Sequence, residues 1–127
     1  MRIEKDVKQA VKKILEDHGW FWWMPPANGF GKIGVADFNA IRKGVFLAVE
    51  TKFGKNKPTV HQTAFLSSVM AEDGFGFVVR DTTLDSFKAW MEAFDRSILA
   101  ASKEEPVAPE DGAMMLNAMK VLTAELV

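Results

Sequence analysis

GVADFNAIRKGVFLAVETKF, residues 34–53, decides the fold. Val45-Phe46-Leu47-Ala48-Val49 is apolar at every position, as a strand covered on both faces reads. The strand is read over residues 45–53 and a partner over residues 35–41, with Arg42-Lys43-Gly44 as the turn of a hairpin. Downstream, GKNKP (54–58) is a polar turn, and Thr59 caps a helix running to about Asp73. Ala64, Phe65, Val69 and Met70 form its apolar side and Gly74 its stop. FGFVVR (75–80) is the next strand. A strand–helix–strand unit crosses over right-handed, so strand 75–80 lies parallel to strand 45–53. The sheet is therefore mixed.

Working outward, Ile3, Val7, Ala10, Val11, Ile14 and Leu15 recur at helical spacing and predict a helix over about Arg2–His18, closed by Gly19. WFWWM (20–24) reads as a strand, mainly core or interface, with stacking on unpaired bases as its alternative use. PPANGFGKIG reads as a loop. After strand 75–80, Thr82 or Thr83 opens a helix with Leu84, Phe87, Trp90, Met91 and Phe94 as its buried stripe. The expected fold class is α/β: a small mixed central sheet with flanking helices in the order α-β-β-β-α-β, then C-terminal helices. The organisation read from composition is a domain over 1–97, an acidic Pro-containing linker over 98–112, and a helix over 113–127. In that last helix Met115, Met119, Leu122 and Leu126 form the stripe of a lid or a dimer arm.

The chain has 127 residues, 48% of them hydrophobic and 26% charged, the balance of a globular domain with a real core. It has no cysteine, which excludes disulfides and thiolate metal sites and fits a reducing compartment. No apolar run approaches the roughly 18 residues of a membrane span. The N-terminus is too charged for a secretory signal, so the expected setting is cytoplasmic. The net charge is only -1, but it is unevenly spread. Residues 31–61 carry six Lys or Arg against two acids, whereas residues 81–127 carry nine acids against four bases. A basic middle of that kind binds phosphate even on a neutral molecule, though solvated loop lysines give the same count.

Glu50 and Lys52, two residues apart on a strand, project from one face, and Thr51 from the other. If Arg42 pairs with Val45, the same register carries Asp37 opposite Glu50. Two carboxylates on adjacent strands make a hard-oxygen site suited to Mg²⁺ or Mn²⁺. A lysine beside them can hold a water or neutralise a phosphoryl oxygen. The competing reading is a buried Glu50–Lys52 ion pair with Asp37 in a turn. Burying ions costs several kcal/mol each, which makes that arrangement hard to explain by stability alone.

Asp37, then twelve intervening residues, then Glu50-Thr51-Lys52 resembles the PD-(D/E)XK nuclease signature. Gly34-Val35-Ala36-Asp37 and Thr59-Val60-His61-Gln62 narrow the likeness to the virus-type replication-repair nuclease (VRR-NUC) family, related to archaeal Holliday-junction resolvases. The likeness covers roughly residues 1–81, and Ala36 stands where the signature has proline. It implies a restriction-endonuclease-like core and a Mg²⁺- or Mn²⁺-dependent endonuclease acting on DNA, branched or duplex, as a homodimer, without a membrane. Asp37, Glu50 and the Thr51 carbonyl would be metal ligands, and Lys52 would position the water. Gln62 would orient the lysine or touch the scissile phosphate, or else be a helix-surface amide. Glu4 is a further ligand candidate, its alternative being an i, i+4 pair with Lys8. Lys32, Arg42, Lys43, Lys55, Lys57 and His61 are the candidate DNA contacts, with Gly29 and Gly31 allowing close backbone approach. His18 and His61 are the only histidines, and no His/Cys metal spacing exists.

Overall fold

The computed structural model describes residues 1–26 and 33–126. Lys32, Gly29 and Gly31 lie outside the described residues. The chain is an α/β fold, as its pattern of elements predicts. Helix α1 (Glu4–Asp17) is followed by strands β1 (Phe21–Trp23), β2 (Phe38–Arg42) and β3 (Val45–Lys52). Helix α2 (Val60–Ala71), strand β4 (Phe75–Arg80), helices α3 (Leu84–Ser102) and α4 (Pro109–Leu122), and a 3₁₀ turn (Ala124–Leu126) complete it. The sheet order is β1-β2-β3-β4, antiparallel except for the parallel β3–β4 pair that α2 bridges.

The hairpin holds the expected register, with Arg42 paired to Val45 and Phe38 to Val49. Its turn is Lys43-Gly44 alone, and both residues have positive φ, 51° and 79°. Two left-handed residues match the right-handed twist of the flanking strands, which sets the register. The expected strand over 35–41 begins only at Phe38, because residues 33–37 leave the ladder and cross towards α2. There Gly34, at φ 82°, lies so close to His61 that an added Cβ would stand 2.5 Å from its backbone carbonyl.

The sheet separates two cores. Against α1, α3 and α4 it presents Phe38, Ala40, Leu47, Val49, Phe77 and Val79, where Trp20, Trp90 and Phe94 also stack. Against α2 it presents the small residues Ala48 and Val78, with Ala36 and Leu66. The α2 side is thin for a steric reason: a Cβ on Gly76 would meet the Leu66 carbonyl at 2.7 Å. The buried anchor of α2 is Leu66, while Ala64 of the expected stripe is exposed. A short hydrophobic patch at close range replaces a wide stripe there, and the helix-period count misses it.

In β1 the aromatic run alternates as a strand must. Trp22 packs on Phe38 on the α1 side and Phe21 and Trp23 emerge on the other, 71% and 42% exposed. Residues 98–112 are not one irregular connection. Helix α3 continues to Ser102, and α4 starts at Pro109, which has no amide hydrogen to leave unpaired in a first turn. The last helix therefore begins and ends earlier than residues 113–127. It packs on α3 through Ala118 and Leu122, with Arg96 Nε donating to Asp111 Oδ1 at 2.6 Å.

Candidate active site

The C-terminal end of β3 is where the side chains of interest gather. Glu50 emerges on the α2 face and is 2% exposed. Asp37 lies just before β2, one residue beyond the last register pair, Phe38 with Val49. Its Oδ2 accepts hydrogen bonds from the Thr51 amide at 2.9 Å and the Thr51 hydroxyl at 2.6 Å. The Asn39 amide nitrogen donates to the Ala36 carbonyl at 3.2 Å, which steadies the approach to Asp37. Lys52 Nζ stands 3.8 Å from Glu50 Oε1, with its side chain 13% exposed.

Gln62 completes the group, and a capping box explains its aim. Thr59 Oγ1 accepts from the Gln62 amide at 3.1 Å, and Gln62 Oε1 accepts from the Thr59 amide at 2.8 Å. That fixes the carboxamide so that its Nε2 donates to Glu50 Oε1 at 2.9 Å. Gln62 thus touches the acid rather than the lysine. The opposite oxygen, Glu50 Oε2, is buried without a hydrogen-bond partner. Burial, and then the negative charge of Asp37, push the Glu50 carboxyl up to about 8, against a weaker opposing pull from Lys52.

These features test the site for a divalent cation. An orphaned buried carboxylate oxygen beside a second carboxylate has a deficit of positive charge, and all-oxygen donors suit Mg²⁺ or Mn²⁺. Asp37 and Glu50 fit such an ion. Among the described residues no third acid or histidine joins them in a metal-sized cluster. Glu4 pairs with Lys8 at 3.8 Å, and Lys8 in turn reaches Asp37 Oδ1 at 3.7 Å, so a cation stands between Glu4 and the site.

The candidate DNA contacts divide by position. Lys55 and Lys57 lie exposed in the turn after β3, at the carboxylate end. His61 is exposed on the first turn of α2, where it lines a small cleft of about 120 Å³ with Ile33 and Phe65 rather than facing the carboxylates. Arg42 and Lys43 lie at the hairpin end of β3, about 23 Å away at ~3.3 Å per residue. Arg42 is held there in an ion pair with Asp95, which also accepts a hydrogen bond from His18 Nδ1 at 2.6 Å. The register that pairs Phe38 with Val49, next to Asp37 and Glu50, also sends Arg42 and Lys43 to the other end.

Sequence reasoning named Lys8 beside the site only as a partner of Glu4, and it passed over Arg80. Lys8 follows from Glu4, since a residue one helical turn on shares its face. Arg80 follows from the parallel pairing of β3 with β4, which sets it beside Lys52. The fold and site together define a class of arrangement: paired carboxylates and a lysine at the end of a core strand in a mixed α/β sheet. No protein-family profile and no curated protein matches the chain. Among the described residues no helix is long and apolar enough to cross a membrane.

Proposed function

We propose that this protein is a metal-dependent DNA endonuclease that hydrolyses phosphodiester bonds, built on the PD-(D/E)XK plan its motifs resemble. The observation that carries the reading is the meeting of Asp37, Glu50 and Lys52 at one strand end, with a buried carboxylate oxygen left unpartnered. Asp37 and Glu50 would hold Mg²⁺ or Mn²⁺, with the Thr51 carbonyl as the family's third ligand. Such an ion, when bound, supplies positive charge to the phosphoryl oxygens and makes a neighbouring water more acidic.

The chain's own groups do the positioning. Gln62 holds Glu50 through Oε1 and leaves Oε2 free to ligate. Thr51 holds Asp37 through Oδ2, and Oδ1 is left with the Lys8 ammonium at 3.7 Å. The Lys52 ammonium is set to hold the attacking water or a phosphoryl oxygen. Hydrolysis joins the water oxygen to phosphorus and breaks one phosphorus–oxygen bond to deoxyribose, whose oxygen takes a proton. The substrate reading that goes with the resemblance is branched DNA, such as a four-way junction, cut by a homodimer in a cytoplasmic setting. End-processing or nicking in replication and repair is the alternative substrate class.

The test is cleavage of labelled four-way junction, flap and linear duplex DNA with Mg²⁺, Mn²⁺ or EDTA. Wild type is expected to cut only with metal, and Lys52→Ala to lose at least ~100-fold in rate while keeping DNA affinity. The substrate ranking separates junction resolution from end processing. Binding without cutting of any substrate would replace the enzyme with a DNA-binding module.

A further inference from the structure

Arg80 is the register partner of Lys52 across the parallel β3–β4 pair, and both emerge on the α2 face. Its side chain is only 12% exposed, and each guanidinium nitrogen is hydrogen-bonded. Nη1 donates to the Gly54 carbonyl at 3.0 Å, and Nε donates to Glu125 Oε2 at 3.0 Å. Nη2 donates to the other oxygen, Glu125 Oε1, so the fork is filled by one carboxylate. That fork geometry accepts two phosphate oxygens equally well.

The carboxylate comes from the 3₁₀ turn Ala124–Leu126, which the chain folds back over the end of the sheet. Glu125 is 31% exposed, so the arginine is sunk and the acid sits at the mouth. Glu125 also lines a cleft of about 320 Å³ with Lys57, Pro58, Thr63 and Ala124. Glu125 links this cleft to Arg80, whose register partner Lys52 belongs to the candidate active site.

We propose that Arg80 and Lys57 form a phosphate subsite flanking the carboxylates, and that Glu125 fills it as an intramolecular stand-in for a phosphodiester of the DNA backbone. The proposal deepens the nuclease reading and rests on it. Glu125 is the exposed partner of the pair, so a polyanion that reaches Lys57 and Lys55 as well competes with it for the arginine. The turn itself is lightly held. Leu126 is half-buried against Leu66 and Val78, and its amide donates to the Thr123 carbonyl at 3.0 Å. DNA binding then opens the turn, and the chain's own acid sets a threshold that weak or short ligands do not pass.

The experiment measures affinity for a short fluorescein-labelled duplex by anisotropy in EDTA, where no cutting intervenes. Glu125→Gln is expected to tighten binding about tenfold and to steepen the salt dependence by about one counterion. Arg80→Gln on top of it is expected to cancel the gain. Glu72→Gln, the same charge change away from the cleft, is expected to leave affinity within about twofold. Hydrogen exchange on the wild-type chain is the second measurement, independent of any substitution. On duplex binding, exchange at Leu126 is expected to rise. Unchanged affinity in Glu125→Gln, or a gain that persists without Arg80, overturns the subsite. So does slower or unchanged exchange at Leu126 in the bound state. If wild type cuts DNA with metal, only the subsite falls in those cases. If neither wild type nor Glu125→Gln binds DNA, the subsite and the nuclease reading fall together.

Discussion

Glu50 is the most perturbed group of the candidate site, and its burial comes at the expense of stability. A carboxyl whose proton is held up to about 8 when folded, against 4.5 for the free group, binds that proton more tightly in the folded state. Between those values stability therefore falls as pH rises, and the contribution present below 4.5 is gone by about 8. The cost is on the order of a few kcal/mol, at about 1.4 kcal/mol per pH unit. Glu50→Gln removes the ionisation and keeps the shape. In EDTA the variant is expected to be more stable than wild type at neutral pH, with the gap widening from pH 5 to pH 8 in urea unfolding. A gap that does not change with pH would contradict the burial argument. Metal binding has the opposite sign. An ion on Glu50 Oε2 favours the carboxylate, so Mg²⁺ or Mn²⁺ affinity is expected to rise with pH up to about 8. Binding near neutral pH is expected to release close to one proton, which calorimetry in buffers of different ionisation enthalpy reads directly.

At the scale of elements, the site depends on two joints rather than on strand β3 alone. The first is the capping box of α2, where Gln62 both closes the helix start and holds Glu50. Thr59→Ala is expected to cost about 1 kcal/mol in unfolding, as cap losses do, and also to lower the cleavage rate because the carboxamide loses its aim. Thr59→Ser keeps the accepting oxygen and is expected to restore both. The second joint is Gly34, which seats the segment leading to Asp37 against His61. Gly34→Ala meets a left-handed backbone and an overlap with the His61 carbonyl, each worth about 1–3 kcal/mol. Loss of metal binding is expected together with the loss of stability. The hairpin was legible in the sequence because a short turn between apolar runs fixes register, and register brings Phe38 to Val49, after which Asp37 bonds Thr51 at the Glu50 end of β3. The crossover was legible from strand–helix–strand order. The thin α2 core was not, since Ala48 and Gly76 matter for what they leave out, which periodicity does not count. The helical ends of residues 98–112 were hidden by Pro and acidic residues, which mark a linker and a helix's first turn alike.

For the whole molecule, the sheet turns a sequence cluster of basic residues into two separate sites. Residues 31–61 look like one basic patch along the chain, yet β3 carries its halves to opposite ends. Lys55 and Lys57 stand past the carboxylates, while Arg42 and Lys43 stand at the hairpin, about 23 Å away at ~3.3 Å per residue. Arg42 is moreover spent on Asp95, one of the acids that make the C-terminal part negative. The Debye length is about 8 Å at physiological salt, so a charge at the hairpin adds little to phosphate binding at the carboxylate end. Lys43→Gln is therefore expected to leave DNA affinity and its salt dependence unchanged. Lys55→Gln is expected to weaken binding several-fold and to lower the slope of log affinity against log salt by about 0.9, the signature of one lost phosphate contact. The pair of slopes, measured from low to physiological salt in EDTA, maps the DNA track. Equal effects of the two substitutions would mean a duplex lying along β3 from end to end, and with it a larger footprint than the carboxylate end alone can hold.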